Sequence, residues 1–315
     1  MDIDILLWLQ DFRNGIGAGL VDFFTKMSEI GEMGFVLIVM AIVYWCVSKQ
    51  YGQYLLMGWS GNRVVNGLLK VAACVYRPWI RDVRIMPEKG ALAAATGYSF
   101  PSGHSMNAAS LYGGVTVRKE LPRALRIATG VIVALIAFSR NFLGVHTPQD
   151  VLVGAAAGLL LMWLTAKLMK WIEAHPKKDI PVMCAGIGIA AAVAVFAALK
   201  SYPADYDSAG KLLVDGAKMA NDTYKGVGWC VGFLSGWVLE RRFVGFSTDV
   251  PMAKRMTRLV TGLLGYYAVS LILMPLLKSA IPGAGCTIMT CFLQMFYVSF
   301  IFPWFMRRFE HSAVK

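Results

Sequence analysis

The sequence predicts an all-α integral membrane protein, a multi-span helical bundle of about nine transmembrane helices, and three observations carry that prediction. First, 57% of the 315 residues are hydrophobic and 16% are charged, where a soluble domain carries roughly 25% charge. Second, apolar runs recur along the chain at close to the roughly 20 residues a helix needs to cross a bilayer. Third, the formal charge of +12 is held in short basic clusters between those runs. That distribution excludes a nucleic-acid-binding protein, which would gather its basic residues on one domain or motif.

Taken in order, residues 1–30 interleave Leu6, Leu9, Phe12, Phe23 and Phe24 with Asp11, Arg13, Asp22 and Lys26, the pattern of an amphipathic segment lying at the membrane interface. Asp2 and Asp4 stand where a cleaved signal would carry positive charge, so no removable leader is expected. Spans are then expected at 31–48, 51–75, 102–117, 123–142, 148–171, 181–199, 225–240, 256–278 and 284–306; eight and ten are the neighbouring counts. No domain boundary interrupts them. The organisation expected is an interfacial segment over 1–30, a core over 31–175 and additional helices of the same bundle over 176–315. The six cysteines at 46, 74, 184, 230, 286 and 291 lack metal-ligand spacing and lie mostly in apolar runs, where thiols behave as small hydrophobes.

Basic segments at 118–126, 167–178, 241–258 and 307–308 alternate with less basic connections. Counting Lys and Arg places them in the cytoplasm and leaves the acidic N-terminus, the 200–225 loop and the three polar islands described below outside, the basic segment Arg77–Lys89 being the one exception to the rule. Stripes of glycine four apart, Gly154 with Gly158 and Gly228 with Gly232 and Gly236, let helix backbones approach closely. Packing within the chain is one use for them and a homodimer face through Gly228, Gly232 and Gly236 is the other.

Three polar islands interrupt this apolar chain, and ionisable groups near hydrocarbon are costly enough to mark function. The first is Lys70-(x6)-Arg77-Pro78. Seven residues are about two helical turns, so Lys70 and Arg77 are expected on one face of the second span, with Pro78 pushing Arg77 out of helical conformation. The second is Phe100-Pro101-Ser102-Gly103-His104, where Ser102 can cap a helix starting at Gly103 and the helix N-terminus offers an anion site. The third is Ser139-Arg140-(x5)-His146-(x3)-Asp150. Here Thr147, Pro148 and Asp150 read as cap, N1 and N3 of a helix, and Asp150 can reach back to a ring nitrogen of His146. All of these taken alone have a plain structural use: snorkelling, an interfacial anchor, a serine cap, a capping acid.

Together the three islands resemble the three-part signature of the type 2 phosphatidic acid phosphatase superfamily, which includes the glucose-6-phosphatases and vanadium haloperoxidases. None of the eight signature positions between 70 and 150 departs from the pattern. The resemblance implies an acid phosphatase/vanadium haloperoxidase-like helical core. It also implies hydrolysis of a phosphomonoester or diphosphate without a metal or other cofactor. In that reading His146, oriented by Asp150, attacks phosphorus to give a phosphohistidine, His104 protonates the leaving oxygen, and Lys70, Arg77, Ser102, Gly103 and Arg140 hold the phosphoryl oxygens. The expected substrate is a phosphorylated lipid reached from the bilayer, such as phosphatidic acid or an isoprenyl diphosphate. A water-soluble sugar phosphate and a non-catalytic lipid-binding or transport role are the alternatives.

Overall fold

A computed structural model describes residues 2–312, and among them the chain is helical with a single isolated bridge between Tyr206 and Leu212. The helices are α1 (Asp2–Gly15), α2 (Ala18–Glu29), α3 (Met33–Ile42), α4 (Lys49–Ala73), α5 (Pro78–Arg81), α6 (Lys89–Leu92), α7 (Gly103–Thr116), α8 (Arg123–Phe142) and α9 (Pro148–Ala174). They continue as α10 (Asp179–Leu199), α11 (Gly216–Leu239), α12 (Met252–Ala268), α13 (Met274–Ala280), α14 (Ala284–Phe296) and α15 (Phe302–Ser312). Four π-helical turns, Val43–Val47, Glu240–Val244, Val269–Leu273 and Tyr297–Ile301, interrupt or extend them. All six cysteines are free thiols.

Among the described residues, five helical segments are long and apolar enough to cross a membrane: Arg123–Phe142, Pro148–Ala174, Pro176–Leu199, Met252–Ala280 and Ala284–Phe309. Ala18–Glu29 with Met33–Val47 makes a sixth if this pair, bent by 55°, is one broken span. Length and composition therefore do not confirm all nine expected crossings, for three physical reasons. α4 is a continuous helix but carries Gln53, Asn62, Arg63, Asn66 and Lys70. α7 has 14 residues, about 21 Å of helix against a hydrocarbon core of about 30 Å. α11 opens with Lys218, Asn221, Asp222 and Lys225 before its apolar part.

The chain forms two compact units that interleave along the sequence. The first comprises Met1–Val36, Val65–Leu164 and Leu199–Ala220. Its centre is α7, whose side chains are buried from His104 to Leu111. Small residues make that burial feasible: α8 packs along α7, and α9 approaches it so closely that a Cβ on Gly154 would sit 2.8 Å from the Ser102 carbonyl oxygen. The N-terminal segment is drawn into this unit further than an interfacial helix would be. Leu6, Leu9, Phe24, Arg13 and Ser28 are all buried, and Arg13 donates to the carbonyls of Phe142 and Met86.

The second unit comprises Leu37–Val64, Thr165–Ala198 and Asn221–Lys315. Trp45 Nε1 donates to the Val298 carbonyl at 2.9 Å and Arg258 Nη1 to the Trp45 carbonyl at 3.0 Å, so the chain's early and late helices are tied together. Gly228 and Gly232 face the backbone of α14 at Ile288 and Phe292, and Gly236 faces Ser299 just beyond it. Of the two uses expected of this glycine stripe, packing within the chain is the one these contacts display.

Candidate active site

All eight residues singled out by the three motifs fall in the first unit. The first motif does not keep both cations on one helix. α4 ends at Ala73, Cys74 takes a left-handed φ of 48°, and Arg77 is extended at φ −64°, ψ 153° as the cap of α5. Pro78 explains that geometry, because its ring disfavours helical conformation in the preceding residue. The turn carries Arg77 inward, where it is 3% exposed. Its Nε donates to the Gly97 carbonyl, Nη2 to Thr96 and Nη1 to Val145. Lys70, near the end of α4, donates to the Tyr98 carbonyl at 2.7 Å and so faces the same 96–99 segment.

The second motif folds as its sequence indicates. Ser102 is the cap of α7, its hydroxyl accepting from the Ser105 N–H at 3.3 Å, and its own N–H donates to the Asp150 carbonyl at 2.9 Å, which ties the second motif to the third. A Cβ at Gly103 would meet Asn66 Oδ1 at 3.6 Å, an ordinary contact, so the surrounding protein does not itself demand glycine. His104 lies in the first turn with its Nε2 buried and without a hydrogen-bond partner. The positive charges of Arg140, Arg77 and Lys70 all act on it.

The third motif is a tight turn between α8 and α9. The Arg140 carbonyl accepts from the N–H groups of both Val145 and His146, and Asn141 Nδ2 donates to the His146 carbonyl at 2.8 Å. Gly144 makes the turn at φ +74°, a conformation costly for any residue with a Cβ. Asp150 then performs two tasks through one oxygen: Oδ2 accepts from the Thr147 N–H at 2.8 Å as a helix-capping acid, and lies 3.4 Å from His146 Nδ1.

The imidazole is held from both sides. Arg77 Nη1 stands 2.8 Å from His146 Nε2, and since a guanidinium can only donate, Nε2 must present its lone pair and Nδ1 must carry the proton. The network thereby assigns the tautomer a nucleophile requires. Burial first, and then the Arg77 charge, push His146 well below the ordinary histidine range, against the opposing pull of Asp150. Arg77, Arg140 and Lys70 bring three positive charges to the site, with Asp150 behind the imidazole and Glu32 acting on Arg140. Arg140 is 1% exposed, its Nη1 donates to Ser28 of α2, and its Nε and Nη2 are buried without hydrogen-bond partners. Buried donors left in this way favour an anionic acceptor strongly.

Sequence reasoning missed four residues. Ser99 donates to Asp150 Oδ2 at 2.5 Å and its oxygen lies 3.3 Å from His146 Nδ1, close enough to share that proton. Arg13, Ser28 and Asn141 brace the Arg140–His146 turn from α1, α2 and α8. Only Arg13 and Ser28 had a usable signal, as polar residues on a helix whose other face is apolar. A serine before an aromatic and a proline has none.

The comparisons with known proteins agree with this geometry. The description "PAP2 superfamily" matches residues 36–174, which include all three motifs, and "PAP2 superfamily phosphatase, transmembrane extension" matches 224–313. Phosphatidylglycerophosphatase B of Bacillus subtilis is 34% identical over 169 residues, covering 50% of this chain and 73% of that protein. Lipid phosphate phosphatase delta of Arabidopsis thaliana is 26% identical, with 56% of this chain and 43% of the relative covered. Undecaprenyl-diphosphatase of Sulfolobus acidocaldarius is 33% identical over 73 residues, 23% of this chain and 34% of the relative. A crystal structure of a transmembrane PAP2 type phosphatidylglycerolphosphate phosphatase from Bacillus subtilis shares 30% identity over 54% of this chain and 85% of its own, with a TM-score of 0.45. With both parts matched in order, and three motifs converging on one histidine, the chain belongs to the PAP2 superfamily.

Proposed function

We propose that the protein is a membrane phosphatase that hydrolyses a lipid phosphate or diphosphate through a phosphohistidine intermediate, without a metal ion. The observation that carries this reading is the tautomer of His146: a buried imidazole with its Nε2 lone pair directed at a guanidinium, and Nδ1 backed by Asp150 and Ser99. A phosphoryl oxygen entering beside Nε2 takes over the Arg77 donor, which leaves the lone pair facing phosphorus. Attack forms the N–P bond as the P–O bond to the lipid breaks, and His104 Nε2 gives its proton to the departing oxygen. Water then cleaves the N–P bond with His104 as base, releasing inorganic phosphate and restoring both histidines. Arg77, Arg140 and Lys70 balance the charge spreading over the equatorial oxygens, the main demand of phosphoryl transfer. Ser102 and the Gly103 amide complete the donors at the start of α7.

The lipid substrate is supported by the relatives, whose names specify phosphatidylglycerophosphate, lipid phosphate and undecaprenyl diphosphate. The extracytoplasmic face is supported by two helices. α8 and α9 each have the third motif at one end and a basic segment, 118–126 or 167–178, at the other. Their 20 and 27 residues span about 30 and 40 Å, and the basic ends fit the cytoplasm.

The test is phosphate release by purified protein in excess EDTA, comparing phosphatidylglycerophosphate, phosphatidic acid and undecaprenyl diphosphate with glucose 6-phosphate. Lipid turnover that survives chelation, with labelled phosphate trapped on wild type and absent from a folded His146→Ala variant, is expected. Equal trapping on both proteins refutes the nucleophile, and turnover of the sugar phosphate alone refutes the lipid.

A further inference from the structure

The second unit contains a pocket of about 530 Å³ that shares no residue with the three motifs. Two helices begin at it. Lys49, Gln50 and Gln53 line it from the first turns of α4, and Lys177 and Asp179 from the 3₁₀ turn and first residue of α10. Their N-terminal partial charges favour an anion from two directions at once. The opposite wall is the π-helical turn after α11, which contributes Arg241 and Arg242; such turns recur where a helix re-aims side chains for a functional purpose.

The charges around the pocket do not cancel. Asp179 takes Arg242 Nη2 at 2.6 Å, while Arg241 Nε stays 3.8 Å from the same carboxylate, buried and without a hydrogen bond. Glu240, behind the wall, is committed to Lys49 at 2.6 Å, Gln53 at 3.0 Å and the Phe246 N–H at 3.2 Å. Lys177 is exposed at the rim. Four cations against two carboxylates leave two positive charges over.

We propose that this pocket is a second phosphate site, binding a phosphomonoester dianion. The surplus of two charges matches that dianion, and guanidinium and ammonium donors match its oxygens. The volume lies within the range of roughly 300 to 1,000 Å³ typical of small-ligand pockets, so it accommodates a headgroup or small metabolite as well as the phosphate. Two sources offer this chemistry: an anionic lipid with a terminal phosphate, and a soluble phosphate compound.

The test is a local one, so that the catalytic motifs do not contribute to the signal. Gln50→Cys, at the exposed edge, is labelled with an environment-sensitive fluorophore in the full chain with Cys74→Ser and Cys184→Ser. Inorganic phosphate is titrated in lipid-free detergent, and phosphatidylcholine vesicles are compared with and without phosphatidic acid. Saturation by inorganic phosphate assigns the site to the phosphate group itself; saturation by phosphatidic acid alone assigns it to the lipid. In either case affinity falls at least tenfold with Lys177→Gln, further with Lys177→Glu, and is retained with Arg140→Gln. A signal that fails to saturate with either probe, that sodium chloride of equal ionic strength reproduces, or that Lys177→Gln and Lys177→Glu leave unchanged overturns the proposal.

Discussion

Arg140→Lys separates charge from geometry at the candidate site. Arg140 is buried at the end of α8 with one donor on Ser28 and two, Nε and Nη2, unpaired among the described residues. Lysine keeps the charge but replaces a planar fork with a point donor, so one directed hydrogen bond to the transition state is lost. That loss is worth about 3 kcal/mol, on the order of a hundredfold in kcat. Folding suffers less, since the hydrogen bond removed is the one to Ser28, about 1 kcal/mol. Arg77→Lys is the informative contrast: three of its hydrogen bonds end on the Gly97, Val145 and Thr96 carbonyls, and orphaning buried acceptors costs about 1 to 3 kcal/mol each. Arg77 is therefore a strut as well as the proposed phosphate donor, and its variant should lose stability together with activity. The assay is kcat, KM and the vanadate inhibition constant at one ionic strength, alongside thermal unfolding in the same detergent. Arg140→Lys is expected to weaken vanadate and lower kcat with little change in Tm. Unchanged vanadate affinity and turnover would show that Arg140 braces α2 and holds no phosphate.

Ser99→Ala removes the hydroxyl that shares Asp150 Oδ2 with the Thr147 cap; kcat should fall about tenfold, the loss of roughly 1.4 kcal/mol, while Ser99→Thr restores part of it. Because burial and then Arg77 lower the His146 pKa, the acid limb of kcat/KM should lie below the usual histidine pKa of about 6.5; a limb at or above 6.5 refutes the buried neutral nucleophile. By the same linkage the unfolded chain takes up a proton that the folded site refuses. Stability should thus fall as pH drops from about 6.5 toward the folded value, by at most about 1.4 kcal/mol per pH unit from this group. Gly144→Ala forces a Cβ into φ +74° and to 3.3 Å from the Pro87 Cα, which should destabilise by about 1 to 2 kcal/mol, read as a lower Tm.

The sequence made the caps legible because capping is local. Ser102 before Gly103, and Thr147-Pro148 with Asp150, state their own geometry within four residues, and the structure has those caps. The Asp150 reach to His146 follows from the same turn. What was not legible depends on distant partners. Nothing near Arg13 announces that it serves the carbonyls of Phe142 and Met86, and nothing near Ser99 announces His146. The break of α4 at Ala73 was half legible: Pro78 announces an extended Arg77, but the left-handed Cys74 that turns it inward lacks a sequence cue. The count of nine spans goes beyond what length and composition alone support at α4 and α7: α4 is long but carries polar side chains along its length, and α7 has 14 residues.

The contact between Gly154 and the Ser102 carbonyl has a mechanical consequence. Asp150 lies one turn before Gly154 on α9, and its carbonyl accepts from the Ser102 N–H at the cap of α7. The second and third motifs are therefore held in register by backbone, at a place where no side chain stands between the two helices. A methyl group at Gly154 would meet the Ser102 carbonyl oxygen at 2.8 Å and so would part the two motifs together, moving the carboxylate behind His146 and the start of α7 in a single displacement.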